Sequence, residues 1–195
     1  SEPLSERQII KTLLALAQIM VLNHVQWRTL KTWLDFPIAV EIFPVLKGMD
    51  FDNLYKIDLL IRKQGLDLWQ DINTGFQTGK KGHQPFLNDI QIMNDWVKSV
   101  KQSATGDLNK DLLQLLEKYQ PAEIINADEQ RAFKGFKTVL NELNEQLSQW
   151  QVKFSPHEAI RELENLISQS EFSSTSSDWG VEVLSVTDSM YLERK

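Results

Sequence analysis

The sequence predicts an all-α protein, a multi-helix domain of about eight helices with one β-strand near its C-terminus. Two observations predict the helices. Apolar side chains recur at helical spacing through most of the chain, and helix-start and helix-stop signals separate these stretches. The strand is predicted by the β-branched side chains of residues 180–187. Because a lone strand cannot pair its own backbone groups, we expect it to be left over from an adjoining α/β domain.

The first two helices are predicted from a capping signal and a proline. Ser5 and Gln8 can satisfy each other's backbone donors at the start of an amphipathic helix that covers about residues 5–24. A second helix covers residues 27–36. It ends there because Pro37 disfavours the helical backbone in the residue before it.

Short helical turns and a well-marked helix follow. Residues 38–47 are predicted as helical turns broken at Pro44, with a strand as the alternative. Asp50 or Asp52 can cap the next helix, and Gly65 stands where a left-handed C-terminal cap belongs. A further turn follows over residues 66–72.

Longer helices are predicted in the second half of the chain. Apolar residues keep the helical period over residues 86–103, 108–120 and 128–152, and the last of these is the most regular stretch in the sequence. Ser155 and Glu158 then form a capping box around a proline and begin a helix that runs to about residue 168.

These elements predict two helical subdomains and an incomplete third region. The first subdomain covers residues 1–73, a glycine-rich flexible loop covers 74–85, and the second subdomain covers 86–168. A Ser-rich linker at 169–179 leads to the truncated strand and loop at 180–195. Since the chain begins with Ser and ends just after a lone strand, we expect it to be an excised piece of a larger protein.

Composition excludes several function classes. The 21 Lys and Arg residues face 27 Asp and Glu residues, so the net charge of -6 provides no global field that attracts nucleic acid or an anionic membrane. The chain has no cysteine, which excludes disulfide scaffolds, thiolate metal sites and cysteine nucleophiles. No apolar run reaches the roughly 20 residues of a membrane span. We therefore expect a cytoplasmic protein without a membrane partner.

A glycine-flanked lysine pair has two interpretations. Residues 75–81 read G-F-Q-T-G-K-K and lack the glycine spacing and the following Ser or Thr of a phosphate-binding loop. Lys80, Lys81 and His83 are therefore expected in a solvated loop, with contacts to nucleic-acid phosphates as the alternative. No Walker-type loop is present in the sequence, so we expect the fragment to hydrolyse no ATP by itself.

Catalytic and metal-binding patterns are weak. His157 and Glu158 begin like a zinc-protease helix, but Arg161 occupies the position of the second histidine ligand. His24 and His83 have no carboxylates at ligand spacing nearby. We therefore assign no catalytic residue and no metal site, and a metal-dependent helical enzyme is the most distant interpretation.

A row of cations lies on the longest predicted helix. Arg131, Lys134 and Lys137 are three residues apart, a spacing that can follow a phosphate backbone. The alternative is an ordinary solvated face opposite the apolar stripe. The six tryptophans are mostly expected in the core, with Trp27 and Trp179 as the best exceptions for base stacking.

The C-terminal segment carries the one family resemblance. Residues 180–193, G-V-E-V-L-S-V-T-D-S-M-Y-L-E, resemble the late motif of UvrD/RecB-type superfamily 1 helicases, a strand reading roughly V-x-V-L-T-I-H and then K-A-K-G-L-E-F. Val183, Leu184, Leu192 and Glu193 agree with that motif. The order of helices before it is similar to the helical insertion of the second motor domain of this family.

The same segment departs from the family at several positions. Thr187 and Asp188 stand where the family has His and Lys, and Met190 and Tyr191 stand where it has Lys and Gly. In active motors this loop couples the nucleotide state to the grip on DNA. With these departures the segment resembles the degenerate motor domains of AddB/RecC-type subunits of helicase–nuclease complexes. In those subunits the helicase fold is a scaffold for DNA.

The resemblance implies a fragment of a helicase-like DNA repair or recombination protein. The final strand would then belong to a RecA-like motor domain, and the helices would contact DNA or a partner subunit of a helicase–nuclease complex. ATP and Mg would be cofactors of the parent protein, with none in this fragment. The alternative function is a helical protein–protein interaction module without DNA binding, which the acidic net charge favours.

Overall fold

The structure, a computed structural model, consists almost entirely of α-helices. It describes residues 2–78, 82–117, 126–151 and 153–172. The α-helices in these ranges are α1 (Gln8–Val21), α2 (Trp27–Leu34), α3 (Ile38–Ile42), α4 (Asp52–Gln64), α5 (Trp69–Gln77), α6 (Leu87–Ser103), α7 (Leu108–Glu117), α8 (Ala127–Trp150) and α9 (Pro156–Gln169). The all-α class predicted from the sequence is confirmed.

Strand pairing in the described ranges is limited to two two-residue strands and an isolated bridge. Strand β1 (Glu2–Pro3) pairs antiparallel with β2 (Glu171–Phe172). Gln26 forms the bridge with Leu68. The strand predicted over residues 180–187, together with the rest of the helicase-like segment, lies outside the described residues.

The helix-start signal of α9 produces the predicted capping box. The Ser155 Oγ accepts a hydrogen bond from the backbone N–H of Glu158, and the Glu158 carboxylate accepts one from the backbone N–H of Ser155 at 2.8 Å. Pro156 occupies the first helical position, where its missing N–H costs no intrahelical bond. These bonds satisfy donors that the first turn of a helix leaves unpaired.

The signals around α3 and α4 also act as predicted. A 3₁₀ segment at Pro44–Gly48 follows α3, so residues 38–47 are helical turns broken at Pro44 and not a strand. Asp50 accepts a hydrogen bond from the backbone N–H of Asp52 at the start of α4. At the other end of α4, Gly65 adopts a φ of 64°, which glycine reaches without the steric cost of a Cβ.

The chain divides into two compact units. The described residues of Ser1–Ala17 and Thr105–Lys195 form one, here called the terminal unit. Those of Gln18–Ala104 form the other, the central unit. The central unit includes the described part of the predicted loop at 74–85. There α5 continues to Gln77, and α5 and α6 pack against each other.

Aromatic side chains build the core of the central unit. Trp33 of α2 and Trp96 of α6 stack with parallel rings 6.1 Å apart, and Phe43 meets both edge-on. A second stacked pair joins Trp27 to Trp69 at 6.2 Å. Aromatic pairs at these separations contribute roughly 0.5–1.5 kcal/mol each beyond their buried area.

The tryptophans correct one sequence prediction. Trp27, predicted as an exception suited to base stacking, is 4% exposed and belongs to the core. Trp150 is 51% exposed at the end of α8, where the helix has passed the buried stripe. Trp179 lies outside the described residues.

Helix α8 is the longest described helix of the terminal unit and packs in its core. Its stripe of Phe133, Phe136 and Leu140 is buried, and α8 packs against α7 and α9. Glu129 in its first turn accepts a hydrogen bond from the backbone N–H of Ile9 at 2.8 Å. Because Ile9 lies in the first turn of α1, where backbone donors have no helical partner, Glu129 caps α1 from a position 120 residues away.

Candidate nucleic-acid interface

The cations predicted from the sequence fall into two groups. Lys80 and Lys81 lie outside the described residues, as do the helicase-like positions Val183, Thr187, Asp188, Leu192 and Glu193. Arg131, Lys134 and Lys137 all lie on α8 in the terminal unit.

Two of the α8 cations have side chains available for contacts. The Arg131 guanidinium lies 2.6 Å from the Asp128 carboxylate, so part of its charge is compensated within the first turns of α8. Lys134 is exposed and Lys137 is half-buried, and neither forms an ion pair with the described residues. A phosphate contact on α8 would therefore depend mainly on Lys134 and Lys137.

Acidic side chains limit this cationic stretch of α8. Glu142 and Glu145 follow Lys137 within about two helical turns. Burial raises the pKa of Glu142 above its ordinary value, and the neighbouring charge of Glu145 raises it further. The basic surface on α8 is therefore short and bordered by negative charge.

Helix α4 has a second exposed surface that carries cations, which we call the α4 outer face. Its exposed side chains include two large apolar groups, Tyr55 at 68% and Leu59 at 38% exposure. The full set comprises Asp52, Tyr55, Lys56, Leu59, Arg62 and Lys63. Residues three, four and seven apart share one side of a helix, so these side chains form a single stripe opposite the buried Leu54, Ile57 and Ile61.

The charge of this stripe differs from that of the chain as a whole. Lys56 and Lys63 are exposed and form no ion pair with the described residues. The sequence of the central unit contains ten basic and nine acidic residues, while the whole chain contains 21 and 27. The acidic excess therefore belongs to the rest of the chain, and the α4 outer face carries three cations against Asp52.

A pocket borders the Arg62 end of the α4 outer face. It has a volume of about 470 Å³ and is lined mainly by α2 and α4. The buried carboxylate of Asp58 lies in its wall. The Trp27 Nε1 donates to Asp58 Oδ1 at 2.8 Å, and the Arg62 Nε lies 3.0 Å from Asp58 Oδ2.

Asp58 remains ionised in this position. Burial opposes its charge, but the hydrogen bonds from Trp27 and Arg62 and the charges of Arg62 and Lys31 outweigh burial and hold the pKa of Asp58 below its ordinary value. Its side chain is 8% exposed, whereas that of Arg62 is 72% exposed. A buried anion thus fixes one end of a guanidinium whose other end faces solvent.

Other cations of the central unit are committed to structural contacts. The Lys101 Nζ donates to the carbonyl of Leu22 at 2.7 Å, just beyond the end of α1, and burial lowers the pKa of Lys101. Lys31 pairs with Asp35 one turn along α2. Four exposed lysines of this unit form no ion pair with the described residues: Lys47, Lys56, Lys63 and Lys98.

The described residues contain no group of three or more His, Cys, Asp or Glu side chains that could hold a metal ion. The sequence prediction for His83 is wrong: it is not solvated but buried between Gln64, Gly75 and Phe76, and the Gly75 carbonyl accepts from its Nδ1 at 3.2 Å. No helix in the described ranges is long and apolar enough to cross a membrane.

Sequence reasoning missed the α4 outer face because it used α4 only for its buried residues. A signal was nevertheless present. Tyr55 and Leu59 are four residues apart and lie off the stripe of Leu54, Ile57 and Ile61, so a helical projection places them together on the far side.

Comparison of the chain with models of protein families, with curated proteins and with solved structures finds no match.

Proposed function

We propose that this chain is a helical domain that contacts DNA in a helicase-like repair or recombination protein, and that it catalyses no reaction by itself. The observation that carries the proposal is the α4 outer face, where the exposed ring of Tyr55 lies among Lys56, Arg62 and Lys63. The resemblance of residues 180–193 to a helicase motif and the all-helical fold support the same assignment.

The chemistry of this face suits single-stranded DNA. Proteins that bind single strands combine cations along the phosphate backbone with aromatic rings on which bases stack, and each stacked base contributes roughly 1–3 kcal/mol. Tyr55 provides a ring that is 68% exposed. Lys56 is its immediate neighbour, and Lys63 lies about two turns away along the same face.

The test is fluorescence anisotropy of labelled oligothymidine, duplex and forked DNA at about 50 and about 200 mM salt. We expect the chain to bind the single-stranded and forked probes, with affinity falling as salt rises because counterions are released. The double variant Lys56→Ala/Lys63→Ala should lower the affinity and flatten the salt dependence by roughly 0.7 per lost phosphate contact.

The matched control is Lys47→Ala/Lys98→Ala, which removes two exposed lysines of the same unit that lie off α4. It should bind DNA like the wild type. Absence of binding at low salt, or equal losses in the two double variants, would overturn the proposal.

The second candidate function is docking of a protein partner without DNA binding. Leu59 favours it, because an exposed leucine beside an exposed tyrosine adds apolar area that phosphates do not use. The flanking cations select a partner segment with an acidic and apolar face. In this case Leu59→Ser would abolish docking of that segment, whereas the same variant should leave DNA affinity unchanged under the first proposal.

A further inference from the structure

The pocket beside Arg62 contains one cation without an ion pair among the described residues and a second cation whose hydrogen-bond donors are only partly used. Arg28 lines it from α2, is exposed, and forms no side-chain ion pair with the described residues. Arg62 lines it from α4 and uses its Nε on Asp58. The terminal nitrogens of Arg62 have no further ion pair in the described part of the chain and remain available as donors.

We infer that this pocket is a phosphate-binding site in which Arg62 and Arg28 contact the phosphate oxygens and Asp58 positions Arg62. The inference rests on the proposed DNA-binding function. It identifies the phosphate groups of the nucleic acid as the ligand that binds at this end of the α4 outer face. The shared ligand chemistry is a phosphate oxyanion, provided either by a DNA backbone or by free inorganic phosphate.

The contacts of Asp58 explain why Arg62 suits this role. A guanidinium is planar and offers its donors in a fixed fork that matches phosphate oxygens. Asp58 is held by Trp27 on one oxygen and holds Arg62 on the other. Because this restricts the orientation of the Arg62 side chain before a ligand arrives, binding immobilises fewer rotatable bonds.

The remaining charges of the pocket identify a residue that weakens the site. Lys31 and Asp35 neutralise each other by pairing. Asp67 lines the pocket, is exposed, and forms no ion pair with the described residues, so its charge repels an anion. An anion site in this pocket therefore predicts that removal of the Asp67 charge strengthens binding, whereas a site for a cation predicts the opposite.

Two probes test the inference on the full chain. One is labelled oligothymidine, followed by anisotropy at several salt concentrations. The other is inorganic phosphate, followed through the NMR signals of the arginine Nε–H groups. We expect Arg62→Ala and Arg28→Ala each to weaken oligothymidine binding about tenfold or more, the loss expected for one charge-assisted contact. Asp67→Asn should strengthen it about twofold to fivefold.

A double-mutant cycle tests whether Asp58 acts by positioning Arg62. Asp58→Asn keeps an oxygen that accepts from Trp27 and removes the charge that holds Arg62, so it should weaken binding in the wild type. In the Arg62→Ala background the loss of a negative charge should leave binding unchanged or strengthen it, as for Asp67→Asn. An equal loss in both backgrounds would show that Asp58 acts only on folding and would overturn its assigned role. The melting temperature of each variant separates loss of fold from loss of binding.

The outcomes distinguish failure of this site from failure of the proposed function. If Lys56→Ala/Lys63→Ala weakens DNA binding while Arg62→Ala and Arg28→Ala do not, the pocket is not a phosphate site although the DNA-binding proposal stands. If phosphate shifts the Arg62 signal but no DNA probe binds, the pocket takes free phosphate and the DNA-binding proposal fails. If neither probe responds, both are overturned.

Discussion

Trp27 and Asp58 form a buried hydrogen bond that joins α2 to α4, with the indole Nε1 2.8 Å from the carboxylate oxygen. The two residues are 31 positions apart in the sequence. Asp58 in turn holds Arg62, one helical turn further along α4. A single buried carboxylate therefore links the core of the central unit to the α4 outer face.

Trp27→Phe tests the energetic value of this bond. The variant keeps an aromatic ring beside Trp69 but leaves a buried oxygen of Asp58 without its donor, which costs roughly 1–3 kcal/mol. We expect a lower free energy of unfolding in urea titrations. Trp33→Phe is the matched control, because the buried Nε1 of Trp33 has no hydrogen-bond partner in the described ranges. Equal losses in the two variants would show that ring size alone accounts for the effect.

Asp58 also predicts the direction of a pH dependence. Its folded pKa lies below its ordinary value, so its stabilising contribution is complete above the unfolded-state pKa of about 3.9 and is lost as the pH falls through the folded pKa. Wild type should therefore be more stable than Asp58→Asn near neutral pH, and the difference should shrink below about pH 4. Urea midpoints across this range measure it, and a constant difference would contradict the assignment.

The capping box of α9 predicts a local loss of stability. Ser155→Ala removes the oxygen that accepts from the backbone of Glu158 and should destabilise the chain by about 1 kcal/mol. Ser148→Ala is a suitable control, because Ser148 lies inside α8 and its hydroxyl donates only to the carbonyl of Asn144 among the described residues. The melting temperature of Ser155→Ala should be lower than those of the control and the wild type. A Ser148→Ala loss as large as that of Ser155→Ala would argue against the cap.

The features predicted correctly from the sequence are mostly local ones. The Ser155 cap, the Gly65 terminus and the break at Pro44 depend on residues within a few positions of each other, so the sequence alone specifies them. The apolar period likewise identifies α8 and its buried stripe without knowledge of any neighbour.

The contacts that sequence reasoning missed connect distant positions. The burial of Trp27 follows from Asp58 and Trp69, whose proximity is set by the packing of helices and not by any local pattern. Glu129 caps α1 across 120 residues for the same reason. The exposed stripe on α4 was detectable in principle, because Tyr55 and Leu59 lie off its apolar stripe, but their exposure depends on what packs nearby.

Photocrosslinking of the chain to an oligothymidine that carries 5-iodouracil tests whether single-stranded DNA binds the α4 outer face. If the α4 outer face binds single-stranded DNA, the crosslink should map to Tyr55, weaken as salt rises, and disappear in Tyr55→Ala while that variant keeps its melting temperature. A crosslink that maps to α8 around Lys134, or one that persists unchanged in Tyr55→Ala, would show that single-stranded DNA does not bind at this face.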